Sequence, residues 1–98
     1  MYARIAKFSA QPERIDGIVE LFKDKVSKEF SRHDGFVGYQ SYIDRERGVI
    51  VGISLWLSRT ALEASQVTAA SALERAKSLG AELIGAPEIL EQAFDTSS

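Results

Sequence analysis

The run Gly48 to Trp56 (GVIVGISLW) constrains this chain most, because it is apolar on both faces of any strand that it forms. Side chains alternate between the two faces of a strand. One face then carries Ile50, Gly52, Ser54 and Trp56, and the other carries Val49, Val51, Ile53, Leu55 and Leu57. A strand with one face in water alternates apolar and polar residues instead. Both faces of this strand therefore need a cover.

The pattern of the remaining chain predicts the order β-α-β-β-α-β. A strand over Tyr2–Ser9 is followed by an amphipathic helix that begins near Pro12 and ends at His33–Gly35. Two β-rich runs are then joined by the charged turn Asp44–Gly48, in which Gly48 supplies a positive φ.

The second half of the chain predicts one more helix and one more strand. Thr60 to Glu63 (TALE) fits a capping box at the start of a helix rich in small residues, which runs to Leu79 and stops at Gly80. Pro87 then ends helical structure, and Glu88–Asp95 is predicted as a fourth strand.

This order is typical of an α+β, ferredoxin-like fold, with a four-stranded antiparallel sheet and both helices on one face. With 98 residues the chain is one domain, which we place at residues 1–95, followed by a flexible tail at 96–98. The helices cover one face of the apolar strand, and the other face stays bare. An apolar patch of this kind usually marks an interaction surface, so we expect a homodimer with the two sheets face to face.

Composition excludes several classes of function. The chain has no Cys and a single His, which removes disulfides, thiolate metal sites and multi-His metal sites within one chain, and we expect no metal and no other cofactor. The net charge of -2 and the lack of a basic stripe argue against nucleic acid. No apolar segment approaches the roughly 20 residues that span a bilayer, and no secretion signal precedes the first strand, so we expect no membrane partner and a cytoplasmic protein.

The stretch from His33 to Ser65 (HDGFVGYQSYIDRERGVIVGISLWLSRTALEAS) resembles the antibiotic biosynthesis monooxygenase type of dimeric α/β-barrel protein. The matching parts are DGFVG before the second strand, the charged hairpin, an apolar strand that closes with Leu55–Trp56, and a Ser-opened helix with TALEA. The resemblance implies a homodimer and, in some members, oxygenation of polycyclic phenols without a cofactor. It specifies a scaffold more strongly than a reaction.

The haem-degrading branch of that family implies an Asn on the first strand and a Trp and a His on the second helix. Those positions fall near Ile5, Ser65 and Arg75, and this chain has no Asn at all. Haem cleavage by that mechanism is therefore not expected. The Asn and the helix-borne aromatic residues of the quinone-forming branch are missing as well.

Trp56 is the strongest candidate for contact with a ligand. Gly52 and Ser54 share its face and leave space beside the indole, as a flat aromatic or hydrophobic ligand requires. The alternative is a ring that simply fills the core.

His33, Tyr39 and Arg75 are candidates for catalysis. His33 could act as a base on a phenol, or lie exposed at a helix end. Tyr39 could share a pocket with Trp56, or pack in the sheet. Arg75 could hold a phenolate or carboxylate, or belong to a solvated helix face.

Two functions of different kinds follow from the sequence. One is cofactor-independent oxygenation of a polycyclic phenol or quinol, with the ring held against Trp56. The other is a non-catalytic dimeric module that binds a small hydrophobic ligand or acts as an accessory or stress-related protein. The absence of the family's catalytic Asn and of its helix-borne aromatic and His residues favours the second. A single cavity lined by both Trp56 and Arg75, with an ionisable partner, would favour the first.

Overall fold

The computed structural model describes residues 1–97, and Ser98 of the predicted tail lies outside them. Its strands are β1 (Tyr2–Ser9), β2 (Phe36–Asp44), β3 (Val49–Trp56), β4 (Glu82–Leu83) and β5 (Glu88–Glu91). Its helices are α1 (Ile15–Leu21), α2 (Ser27–Phe30), α3 (Arg59–Ala64) and α4 (Gln66–Ser78). A 3₁₀ turn, Pro12–Arg14, precedes α1, and a π-helical segment, Phe22–Val26, joins α1 to α2.

The strands form one antiparallel sheet in the order β2-β3-β1, with β4 and β5 both paired to the free edge of β1. The α+β, ferredoxin-like fold predicted from the sequence is confirmed. The hairpin turn is also as predicted, because Gly48 has a φ of 67° and a Cβ there would collide with the carbonyl oxygen of Ala10.

The last part of the sheet differs from the prediction. The expected single strand Glu88–Asp95 ends at Glu91, and an additional short strand, β4, pairs at Phe8 and Ser9. Gly85, with a φ of 69°, lies between β4 and β5 and lets the chain turn there. Two short strands therefore share one edge, and the sheet has five strands instead of four.

The second helix begins and continues differently from the prediction. Its N-cap is Ser58, whose extended backbone and side-chain oxygen, 3.1 Å from the Ala61 amide, satisfy the first turn. The capping box predicted at Thr60 is therefore wrong, since Thr60 already lies inside α3. A break at Ser65, whose hydroxyl donates to the Leu62 carbonyl at 2.6 Å, separates α3 from α4.

The helices cover the face of β3 that carries Ile50, Gly52, Ser54 and Trp56, and all of these residues are buried. Val49, Val51, Ile53 and Leu55 on the opposite face are only partly buried. One face of the apolar strand thus belongs to the core, and the other lies at the outer surface of the sheet. Within residues 1–97, no helix combines the length and the apolar character needed to cross a membrane.

Candidate ligand site

A cavity of about 180 Å³ lies between the inner face of the sheet and the helices. Most of its walls are aromatic or aliphatic. The lining comprises Arg4, Ala6, Phe8, Phe22, Val26, Phe30, Tyr39, Ser54, Gln66, Ala69, Ala72, Leu73, Pro87 and Ile89. Gln66, Pro87 and Ile89 are exposed, so they form the rim through which the cavity meets solvent. The space is comparable with a buried apolar cavity of about 150 Å³ that holds benzene.

The helices shape two walls of this cavity. Phe22, Val26 and Phe30 follow one another at four-residue steps along the π-helical segment and α2, so their side chains face the same way. A π-helical turn is uncommon and occurs frequently at functional sites. The facing wall on α4 is built from Ala69 and Ala72, whose short side chains leave the space between helix and sheet unfilled.

The floor of the cavity carries a row of polar side chains across three strands. Ser54 on β3 pairs with Arg4 on β1 and with Tyr39 on β2. All three residues line the cavity, and each can donate a hydrogen bond. A row of donors at the floor of an apolar cavity favours a ligand that presents an acceptor there.

Arg4 is the only charged residue among the lining residues, and its side chain is buried with 6% exposure. Its Nη2 donates to the Leu62 carbonyl at 2.8 Å and to the Gln66 side-chain oxygen at 3.3 Å. Its guanidinium also lies 5.8 Å from the centre of the Phe30 ring. Burial lowers the pKa of Arg4.

Tyr39 contributes a neutral hydroxyl. Burial raises the pKa of Tyr39 above the usual value of a tyrosine, so at neutral pH its hydroxyl stays protonated and can donate a hydrogen bond. The hydroxyl lies over Gly52, where a Cβ would collide with it. Gly52 therefore acts through Tyr39, because its missing side chain makes room for the phenol.

Trp56 lies behind the cavity and is fully buried. Its Nε1 donates to the Ser54 hydroxyl at 2.9 Å, and its ring meets Phe30 edge-on at 5.6 Å between centroids. Ser54 thus lines the cavity directly, whereas Trp56 orients Ser54 and fills the core.

The structure places His33 and Arg75 away from this cavity. The His33 ring lies 2.9 Å from the Thr68 hydroxyl, at a shallow surface depression bounded by Leu57 and Ser58. Arg75 forms a two-pronged ion pair with Glu29 on α2, outside the cavity lining. Of the candidate catalytic residues, only Tyr39 faces the cavity.

Arg4 is the site residue that the sequence did not indicate. It occupies a polar position in an alternating strand, which normally means a solvent-facing side chain. The sequence nevertheless held a signal that Arg4 faces the core. Arg4 lies four residues before Phe8 and therefore on the same face of β1, and a large apolar residue such as Phe8 is expected in the core, where the structure places it. The pairing of Arg4 with Ser54 depends on the strand register, which one sequence does not specify.

An antiparallel sheet covered on one side by helices defines the ferredoxin-like class of α+β proteins. The family model "Antibiotic biosynthesis monooxygenase" matches residues 1–72, and the chain belongs to this family. The curated proteins include no significant match to the sequence.

Solved structures share the fold over nearly the whole chain. Rv0793 from Mycobacterium tuberculosis is 21% identical with a TM-score of 0.72, and the alignment covers 98% of both chains. SnoaB from Streptomyces nogalater, a cofactor-independent oxygenase, is 14% identical with a TM-score of 0.69, covering 99% of this chain and 97% of its own. ActVA-Orf6 of Streptomyces coelicolor, a monooxygenase solved with nanaomycin D, is 21% identical with a TM-score of 0.70, covering 98% and 92% respectively.

Proposed function

We propose that this protein binds an aromatic phenol or quinol in the cavity and oxygenates it without a metal or an organic cofactor. The observation that carries the proposal is the cavity itself, which has aromatic walls and a floor of hydrogen-bond donors. Membership of the monooxygenase family supports the reaction class. The description of SnoaB as a cofactor-independent oxygenase supports the absence of a cofactor.

The reaction fits the groups that line the cavity. A phenol with hydrogen on the ring carbon opposite its hydroxyl reacts with O₂ to give a quinone and water. One oxygen atom enters the ring, the other leaves as water with two hydrogens from the substrate, and the substrate supplies four electrons. The protein then has to position the ring and stabilise charge on its oxygen, which apolar walls and preorganised donors do.

We further propose that the protein works as a homodimer joined through the outer face of the sheet. One chain exposes 6229 Å² of surface. Monomers of this mass expose about 5,500 Å², so the excess of roughly 700 Å² approaches the ~800 Å² that each partner contributes to a typical interface. Tyr42 and Leu90 lie exposed on this face, Tyr42 paired with Val51 and Leu90 paired with Ala3, and both add apolar area to it.

A blocked cavity tests the proposed function. Leu in place of Ala69 puts a larger side chain into the cavity wall, whereas Ala70→Leu adds the same atoms at an exposed position of the same helix. We expect the natural protein and Ala70→Leu to bind polycyclic phenols, consume O₂ and release one quinone per O₂. Ala69→Leu should abolish both binding and O₂ uptake while it stays folded. Equal turnover in both variants would place the chemistry outside the cavity.

Ligand binding without turnover is the second candidate function. Within the described part of the chain, no carboxylate or imidazole lines the cavity, and the Tyr39 hydroxyl stays protonated. Proton removal from a phenol then has no evident protein base. Saturable binding with no O₂ consumption, in both the natural protein and Ala70→Leu, would establish this function instead.

A further inference from the structure

Among residues 1–97, Nη1 of the Arg4 guanidinium is a fully buried nitrogen with no hydrogen-bond partner. Nη2 is bound to the Leu62 carbonyl and to Gln66, whereas the buried Nη1 has no acceptor among residues 1–97. Buried polar groups are nearly always hydrogen-bonded, and leaving one unpaired is destabilising, the more so when the group is charged. Arg4 is thus held in the cavity wall with binding capacity that the protein itself does not use.

Within the described residues, Arg4 also forms no ion pair with a carboxylate. No Asp or Glu is among the residues that line the cavity, and the groups around the guanidinium are a carbonyl, an amide and the Phe30 ring. An arginine remains charged under ordinary conditions even when buried. A buried cation of this kind is stabilised by an anion close to it.

We propose that Arg4 Nη1 binds an anionic oxygen of the ligand, so that the cavity takes aromatic monoanions: a carboxylate or an ionised acidic hydroxyl. This inference rests on the proposed function, because it names the charge state of the ligand in the same cavity. The single guanidinium matches one negative charge. A phosphate ester, with close to two charges, would leave part of its charge buried and unpaired.

The fold holds Arg4 in a fixed position for this role. Its backbone lies between two paired strands, opposite Ser54 on β3 and opposite Ile89 on β5. Ser54 and Tyr39 pair across the neighbouring strands and both line the same cavity, so their hydroxyls are further donors to a bound ligand. The apolar walls lower the local dielectric constant, which strengthens the pairing of the two charges.

Calorimetric titration with matched naphthalenes tests the proposal on the intact protein. The probes are 2-naphthoate, its neutral counterpart 2-naphthamide, and 2-naphthol. Charge-assisted hydrogen bonds predict that naphthoate binds roughly tenfold or more tightly than naphthamide. Bound naphthol that shows the naphtholate absorption spectrum would identify the acidic hydroxyl as the anion, whereas naphthol bound in its neutral form, with naphthoate preferred, would identify the carboxylate.

Arg4→Gln and Arg75→Gln form a matched pair, since each removes one guanidinium from the chain. Arg4→Gln should lose the preference for naphthoate and keep its affinity for naphthamide, and Arg75→Gln should retain the preference. If Arg4→Gln does not fold, the preference of the natural protein for naphthoate over naphthamide tests whether the cavity binds anions. Arg4→Lys then tests the role of residue 4, because it keeps the charge and should keep part of that preference.

The outcomes separate this inference from the proposed function. Equal affinity for naphthoate and naphthamide would overturn the anion assignment and leave aromatic binding intact. A preference that survives in Arg4→Gln would overturn the role of Arg4. No binding of any probe to the natural protein would overturn both the cavity as a ligand site and the role of Arg4 in it.

Discussion

Ser54 links the core to the candidate site, because it accepts a hydrogen bond from the Trp56 indole while its own hydroxyl lines the cavity. Replacing it by Ala leaves the buried indole N–H without an acceptor. We expect Ser54→Ala to lower the free energy of unfolding by about 1–3 kcal/mol. Urea titration measures this value, with the exposed Ser71→Ala on α4 as the control. A loss as small as that of the control would show that the indole finds another acceptor.

Gly52 is required for the position of Tyr39. A Cβ at residue 52 would collide with the Tyr39 hydroxyl, and the phenol cannot stay where it is. We expect Gly52→Ala to weaken the binding of aromatic ligands at least several-fold, because the displaced ring enters the cavity. Gly38→Ala on β2 is the control, since a Cβ there meets nothing within 4 Å. Binding unchanged in Gly52→Ala, measured by calorimetry, would remove Tyr39 from the site.

At the scale of elements, an ion pair between Arg75 and Glu29 joins helices α4 and α2. Arg75 on α4 holds Glu29 on α2 through two hydrogen bonds, one of them 3.1 Å long, and the side chains are 32% and 35% exposed. The hydrogen bond from Arg75 holds the pKa of Glu29 below its usual value. A lowered folded-state pKa stabilises the protein above the unfolded-state pKa, and this contribution disappears as the pH falls through the folded-state value.

We therefore expect Glu29→Gln to lower the free energy of unfolding at pH 7 by about 0.5–1 kcal/mol, a value reduced for solvent screening. The difference should shrink as the pH falls below about 4.3, the pKa of a free Glu. Chemical denaturation across this pH range measures it, with Glu63→Gln as the control, since the Arg59–Glu63 pair is about 60% exposed. A difference that does not depend on pH would show that packing, and not charge, is involved.

The sequence predicts the fold well where one pattern dominates. The period of Tyr2–Ser9, the turn at Gly48 and the two-faced strand after it give β1, β2 and β3 directly. Prediction from the sequence fails where alternative local structures differ little in free energy. Ser58 and Thr60 are both good caps, and only the extended backbone of Ser58 decides between them. The π-helical turn at Phe22–Val26 was not predicted, because the three- and four-residue spacing of the apolar residues there is that of an ordinary α-helix.

The site is less predictable than the fold for the same reason. Ser54 and Tyr39 could be placed near a pocket because their faces follow from strand alternation. The sequence could not show that His33 and Arg75 lie away from the cavity. A position on a helix or at its end does not by itself determine whether the side chain reaches a given cavity. Arg4 was overlooked because its burial depends on Leu62 and Gln66, distant in sequence, which approach it only in the folded chain.

At the scale of the whole molecule, the proposed dimer interface on the outer sheet face predicts the mass in solution. Ile53 lies near the centre of that face, between Ile5 on β1 and Gln40 on β2. We expect the natural protein to sediment at twice its mass of 10.8 kDa at micromolar concentration. Ile53→Asp should sediment as a monomer, whereas Val67→Asp on the exposed side of α4 should not change the mass. A natural protein that is monomeric at this concentration would contradict the proposed interface.

The most direct test of the central claim is to locate the bound ligand by NMR. Backbone amide spectra recorded during titration with 2-naphthoate should change first at Arg4, Ser54 and Tyr39 and at Ala69 and Ala72 on α4. The outer-face strand residues Val51 and Ile53 should change less. This result would establish the space between sheet and helices as the ligand site. Changes confined to the outer face or to the His33 depression, with none along the Arg4–Ser54–Tyr39 row, would contradict it.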